Sequence, residues 1–120
     1  MAKKKTKSQQ GKASKNKGKV GEREVVHLLK DFGYDARRGQ QFQGSPDSPD
    51  VIAEDFHDCH IEVKRTEALS VYAAMEQAKS DASSDQRPIL FHRRSSKEWL
   101  VVMEAKEFLK LLDSLMIDSI

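Results

Sequence analysis

Between Pro49 and Lys64 the chain reads Pro49-Asp50-Val51-Ile52-Ala53, a polar turn at Asp55-Phe56-His57-Asp58, and then Cys59-His60-Ile61-Glu62-Val63-Lys64. Two short apolar runs on either side of a turn predict a β-hairpin. In the second run, alternation puts Cys59, Ile61 and Val63 on one face and His60, Glu62 and Lys64 on the other. A carboxylate and an ammonium group about 7 Å apart along the strand therefore share a polar face. Asp50 stands at the mouth of the partner strand, and closing the hairpin brings it towards Glu62. Converging carboxylates suit a hard divalent cation such as Mg²⁺, which prefers a few carboxylate oxygens plus waters. Lys64 beside them suits orienting or deprotonating a water and offsetting phosphate charge. These parts describe metal-assisted phosphodiester hydrolysis.

Pro49-Asp50, eleven intervening residues and then Glu62-Val63-Lys64 resembles the signature of the PD-(D/E)XK nuclease superfamily. A second Pro-Asp pair, Pro46-Asp47, runs into Ser48-Pro49 and reads as loop, whereas Asp50 leads directly into the strand. Upstream, a helix is predicted from Val20 to Phe32, closed by Gly33. Its apolar stripe is Val25, Val26, Leu29 and Phe32, and Glu22 shares that inward face by spacing, while Glu24 falls with His27 and Asp31 on the polar side. By itself Glu22 reads equally as an acid complementing the helix dipole. The order Gly18-Lys19-Val20-Gly21-Glu22-Arg23-Glu24, however, resembles the opening helix of the archaeal-type Holliday-junction resolvases within that superfamily, and the chain's brevity is similar to small phage nucleases. The likeness extends through Gly33-Tyr34, Arg37-Arg38 and the hairpin, over residues 18–66. It implies a metal site of Asp50, Glu62 and the Val63 carbonyl, with Glu22 completing or orienting the water shell and Lys64 positioning the attacking water. The implied cofactor is Mg²⁺, with Mn²⁺ as the alternative.

Charge is divided unevenly. Residues 1–19 carry eight Lys and no acid, so their +8 stands against −6 in the remainder. This first segment is too poor in apolar residues to offset the entropy of ordering, and is expected to be a disordered basic arm before a single domain spanning 20–120. Lys3, Lys4, Lys5, Lys7, Lys12, Lys15, Lys17 and Lys19 would then attract phosphates in a salt-dependent, sequence-blind way, with a solubilising tail as the plainer alternative. Arg37 and Arg38, before the flexible loop 39–49, and Arg65 after the motif are further candidate DNA contacts. Gln77 on the next helix is another by the resemblance, or else a plain surface residue. The single Cys59 reads as a buried thiol. No run approaches the roughly 18 apolar residues of a bilayer span, and the basic start lacks the apolar stretch of a signal peptide, so a cytoplasmic protein is expected.

The rest of the chain predicts a helix over Ser70–Ser83, a hairpin of Pro88–Arg94 and Glu98–Met103, and a closing helix over Ala105–Leu115. The order α-β-β-β-α-β-β-α gives an α/β fold, a mixed central β-sheet flanked by helices, which agrees with the restriction-endonuclease-like fold the resemblance implies. The last helix carries more apolar residues than one stripe needs, so either a homodimer or a tight monomeric core would use them. The expected function is a structure-specific DNA endonuclease of the Holliday-junction resolvase type, acting on branched or duplex DNA with no membrane partner. The alternatives are another repair, replication or nicking nuclease of the superfamily, and a non-catalytic DNA-binding protein on the same scaffold.

Overall fold

The hairpin at the middle of the sequence becomes the middle of the sheet. The computed structural model describes residues 7–39, 49–56 and 58–118. In it β1 (Ala36–Arg38) pairs antiparallel with β2 (Val51–Ala53), and β2 pairs antiparallel with β3 (Cys59–Arg65), Val51 lying opposite Ile61. β3 then pairs in parallel with β4 (Arg87–Arg93) along its whole length, and β5 (Leu100–Val102) returns antiparallel to β4. Strand order in the sheet is chain order. The parallel step demands a crossover, and α2 (Val71–Asp81) supplies it, while α1 (Lys7–Asp31) precedes the sheet and α3 (Ala105–Asp118) follows it. This is the mixed α/β element order expected from the sequence.

Two apolar layers hold it together. Val25 and Leu29 of α1 pack on Ala36, Val51, Ala53, Ile61 and Val63. On the opposite face Ala74, Met75 and Ala78 of α2 pack on Leu90. Residues this well buried contribute about 1.5–3 kcal/mol each where the side chain is large, so α1 is held mainly by Val25 and Leu29. β3 lies between the layers and is covered on both sides. Its alternation is as expected, but the polar face is not open: His60 is 0% exposed and Glu62 6%.

α1 approaches β3 most closely at Gly21. A Cβ there would stand 2.9 Å from Arg65 Cβ and 3.3 Å from Val63 Cγ1, nearer than non-bonded carbons comfortably pack. Glycine thus lets the helix lie on the strand and carry Glu22 in with it. Gly21→Ala is expected to lift α1 and destabilise the protein by about 1–3 kcal/mol, read as a lower urea midpoint. An unchanged midpoint would mean that the helix has room to shift.

Two expectations are corrected. The first helix starts at Lys7, not Val20, so from Lys7 onward the expected disordered arm gives way to helix. Lys, Gln and Ala are good helix formers, and lengthening a helix already anchored by Val25 and Leu29 avoids the cost of nucleation. Met1 to Thr6, with Lys3, Lys4 and Lys5, lie outside the described residues. Phe32 leaves the apolar stripe and is 75% exposed, because α1 ends at Asp31 and the chain turns through Gly33 at φ +91°.

Candidate active site

The ladder between β2 and β3 gives out where Asp50 begins. The Asp50 N–H donates to the Ile61 carbonyl at 2.9 Å, but the Val63 N–H donates to a side chain, Asp50 Oδ2, at 2.8 Å. One strand residue therefore aims its carboxylate at the backbone of the other. The base of the connection before Asp50 is closed by the Gly39 N–H, which donates to the Asp50 carbonyl at 2.9 Å. A Cβ on Gly39 would fall 1.9 Å from the Pro49 carbonyl oxygen, so this closure requires glycine.

Asp50 and Glu62 lie close enough for the charge of each to bear on the other. Burial, with the neighbouring Glu62 charge, pushes Asp50 up to about 7 against the lowering effect of the Val63 N–H, and Glu22 adds to the rise. Glu62 moves the other way. Burial raises it, but hydrogen bonds from His60 and Asp50 and the Lys64 ammonium outweigh that and hold it below its ordinary value. The two carboxyls thus titrate as one pair, with Asp50 raised and Glu62 lowered.

Glu22 reaches the same place from α1. With Lys19, Arg38, Gly39, Asp50 and Val63 it lines a cleft of about 500 Å³, its side chain 13% exposed and 3.3 Å from Arg38 Nη2. The structure therefore brings Glu22, Asp50 and Val63 to one cleft, and sets Glu62 near enough to bear on Asp50's charge and Lys64 on Glu62's. Lys19 and Arg38 lie there as well. The other expected DNA contacts are placed differently. Arg37 is ion-paired with Glu54, Gln77 is exposed on α2, and Lys7, Lys12, Lys15 and Lys17 fall on the backbone of α1. Arg65 is bound to Glu24 at 3.4 Å, as is Arg93 at 3.0 Å. Glu24, expected on the polar side of its helix, instead ties α1 to the paired ends of β3 and β4.

Two residues escaped the sequence reading. His60 Nε2 lies 2.7 Å from Glu62 Oε1, and Asp81, at the end of α2, brings a carboxylate oxygen within 4.8 Å of both. His60 had a signal, its place two residues before Glu62 on one strand face. Asp81 had none, since nothing local relates the last turn of α2 to β3.

The residues fit a divalent cation on their own chemistry. Asp50 and Glu22 line one cleft with Glu62 close by, a crowding of carboxyl groups whose charge a hard cation with carboxylate preference offsets.

Residues 13–110 match the archaeal Holliday junction resolvase (hjc) family. The chain belongs to that family. Its fold is shared with a solved protein, Archaeoglobus fulgidus Hjc, described at 1.6 Å as a Holliday junction resolvase from an archaeal hyperthermophile; the two align with a TM-score of 0.53 and 23% identity over 72% of each chain. No curated protein matches the sequence. A Holliday junction resolvase is a structure-specific DNA endonuclease, so the chemistry to be placed in the cleft is phosphodiester hydrolysis, and nucleases of this family act with a divalent metal ion. The family match spans Glu22, Asp50, Glu62 and Lys64.

Proposed function

We propose that this resolvase cuts four-way DNA junctions with Mg²⁺ held by Asp50, Glu62 and the Val63 carbonyl. Glu22 orients the water around the ion, and Lys64 positions the attacking water. The observation that carries the reading is that Glu22, Asp50 and Val63 line one cleft, with Asp50 held by the Val63 N–H and Glu62 close enough to raise it. When bound, the ion supplies Lewis-acid stabilisation of the phosphate and a water acidified for attack. The chain's own contribution is placement: the Val63 N–H fixes Asp50, Arg38 fixes Glu22, and Lys19 and Arg38 offer cations to the phosphates entering the cleft.

The test is cleavage of a labelled four-way junction beside duplex, single-stranded and flap DNA, with Mg²⁺, Mn²⁺ or EDTA. Paired symmetric cuts in the junction that need the metal are expected. Equal cutting of all forms would leave the site standing and remove the junction preference, and tight binding with no cleavage anywhere would leave only a DNA-binding protein.

The lysines of the first 19 residues add affinity by neutralising phosphates. Removing residues 1–17 is expected to weaken junction binding and flatten its dependence on salt, with the cut position unchanged. A shifted cut at an unaltered salt slope would assign the segment a different role.

The enzyme acts as a homodimer, matching the two-fold symmetry of its substrate. α3 supports this: Phe108, Leu109, Leu112, Leu115 and Met116 are all exposed along it, more apolar surface than a lone subunit ordinarily shows water. Sedimentation is expected to give a dimer that Leu109→Glu dissociates; a wild-type monomer at micromolar concentration would overturn the assignment. No described helix is long and apolar enough to cross a membrane, which supports action in the cytoplasm, where the DNA is.

A further inference from the structure

Among the described residues the buried polar side chains are His60 and Glu62, and they are bonded to each other at 2.7 Å. With Glu62 read as a carboxylate ligand of the proposed metal pair, the imidazole is the donor and Nε2 carries the proton. The other ring nitrogen, Nδ1, is enclosed without a hydrogen-bond partner. Asp81 lies close by, within 4.8 Å of both groups. One bland account is that His60 fills space under α2. An apolar residue of that size would do so at no hydrogen-bonding cost, whereas burying an imidazole with one nitrogen unsatisfied carries a desolvation penalty. A second account makes His60, Glu62 and Asp81 ligands of one ion. Donors to a small octahedral ion stand roughly 3 Å apart with no proton between them, and a separation of 2.7 Å is instead that of a short hydrogen bond.

Resting on the reading of Asp50 and Glu62 as the metal pair, we propose that His60 is a positioning residue that sets which ion the site accepts. Its Nε2–H occupies Oε1 of Glu62, so this acid presents a single oxygen in a fixed orientation. Mg²⁺ takes about six ligands in a near-ideal octahedron and one oxygen from each carboxylate. Ca²⁺ takes about six to eight and gains from carboxylates that offer both oxygens. Holding Oε1 therefore favours Mg²⁺ and works against Ca²⁺. Partners that orient a ligating side chain in this way change metal affinity by about 10–100-fold.

The experiment measures Mg²⁺ and Ca²⁺ binding by calorimetry on the full chain at pH 8, for the wild type, His60→Leu and His60→Gln. Leucine keeps the bulk and removes the donor, while glutamine returns an N–H at similar reach. The ratio of Mg²⁺ to Ca²⁺ affinity is expected to fall about tenfold in His60→Leu and to recover most of that in His60→Gln. An unchanged ratio in His60→Leu, or a fall that glutamine does not repair, would overturn the role of His60 while leaving the metal pair in place. Wild-type protein that takes up neither ion would overturn the metal pair, and this proposal with it. ¹⁵N spectra of the wild-type imidazole give a readout that does not depend on how the variants fold. The Nε2–H form is expected with and without Mg²⁺. A proton on Nδ1 alone, or loss of the Nε2 proton when Mg²⁺ is added, would also refute the proposal.

Discussion

Asp50→Asn is expected to slow junction cleavage roughly a thousandfold, about 4 kcal/mol of transition-state stabilisation, while junction binding stays as tight or tightens. The amide keeps an oxygen for the Val63 N–H that now donates to Asp50 Oδ2 at 2.8 Å, so the local backbone is not disturbed. What disappears is the negative charge that draws the cation. A phosphate backbone entering a cleft with one carboxylate fewer meets less repulsion, so weakened binding is not expected without the metal. Cleavage at a tenth of the wild-type rate or better would remove Asp50 from the metal set, and parallel losses of binding and cleavage would point to a folding defect. Single-turnover cleavage and junction affinity in EDTA separate these outcomes.

The second large effect is on stability. Asp50 keeps its proton to about pH 7 in the folded protein, against an ordinary 3.8. The folded state gains from this below the ordinary value and loses the gain as the pH rises through about 7. Glu62, held below its ordinary 4.5, acts in the opposite sense: its contribution is present above that value and is lost as the medium becomes more acid. Without divalent ions, stability is therefore expected to peak near pH 5 and to decline by on the order of 2 kcal/mol by pH 8, roughly 10 °C in Tm for a domain of this size. Saturating Mg²⁺ should remove the decline, since the ion supplies the charge that the proton had provided. Asp50→Asn should abolish both the decline and the Mg²⁺ effect. Thermal unfolding followed by circular dichroism from pH 4 to 9, with EDTA or Mg²⁺, reads all three, and a Tm that is level from pH 5 to 8 in EDTA would contradict the rise at Asp50.

Much of the site could be read from periodicity. The period of two along Cys59–Lys64 and the helical spacing from Glu22 to Val25 and Leu29 depend on only a few consecutive residues, so the faces of β3 and α1 were legible before any tertiary structure was known. Alternation says which residues share a face. It does not say what covers that face. His60 and Glu62 were therefore placed correctly on one strand face, but nothing in the alternation foretold that this face is buried. Glu24 went astray for a related reason: a surface position on an isolated helix becomes the anchor for Arg65 and Arg93 once β3 and β4 pair in register, a relation 69 residues long in the case of Arg93. The start of α1 was misjudged because composition measures the capacity to bury apolar surface, while extending a helix already formed requires very little of it.

The bond from Gly39 N–H to the Asp50 carbonyl ties the two ends of the connection between β1 and β2 together at Asp50 itself. It acts as a clasp. Residues can be added or exchanged beyond it at small entropic cost, since doubling such a loop costs only about 0.6 kcal/mol, and the acid stays where it is. For anyone wishing to give this nuclease a new address, by grafting a peptide that reads a chosen DNA shape or protein, Gly39 and Asp50 mark the two points at which to join it, since the clasp between them holds the backbone of the acid.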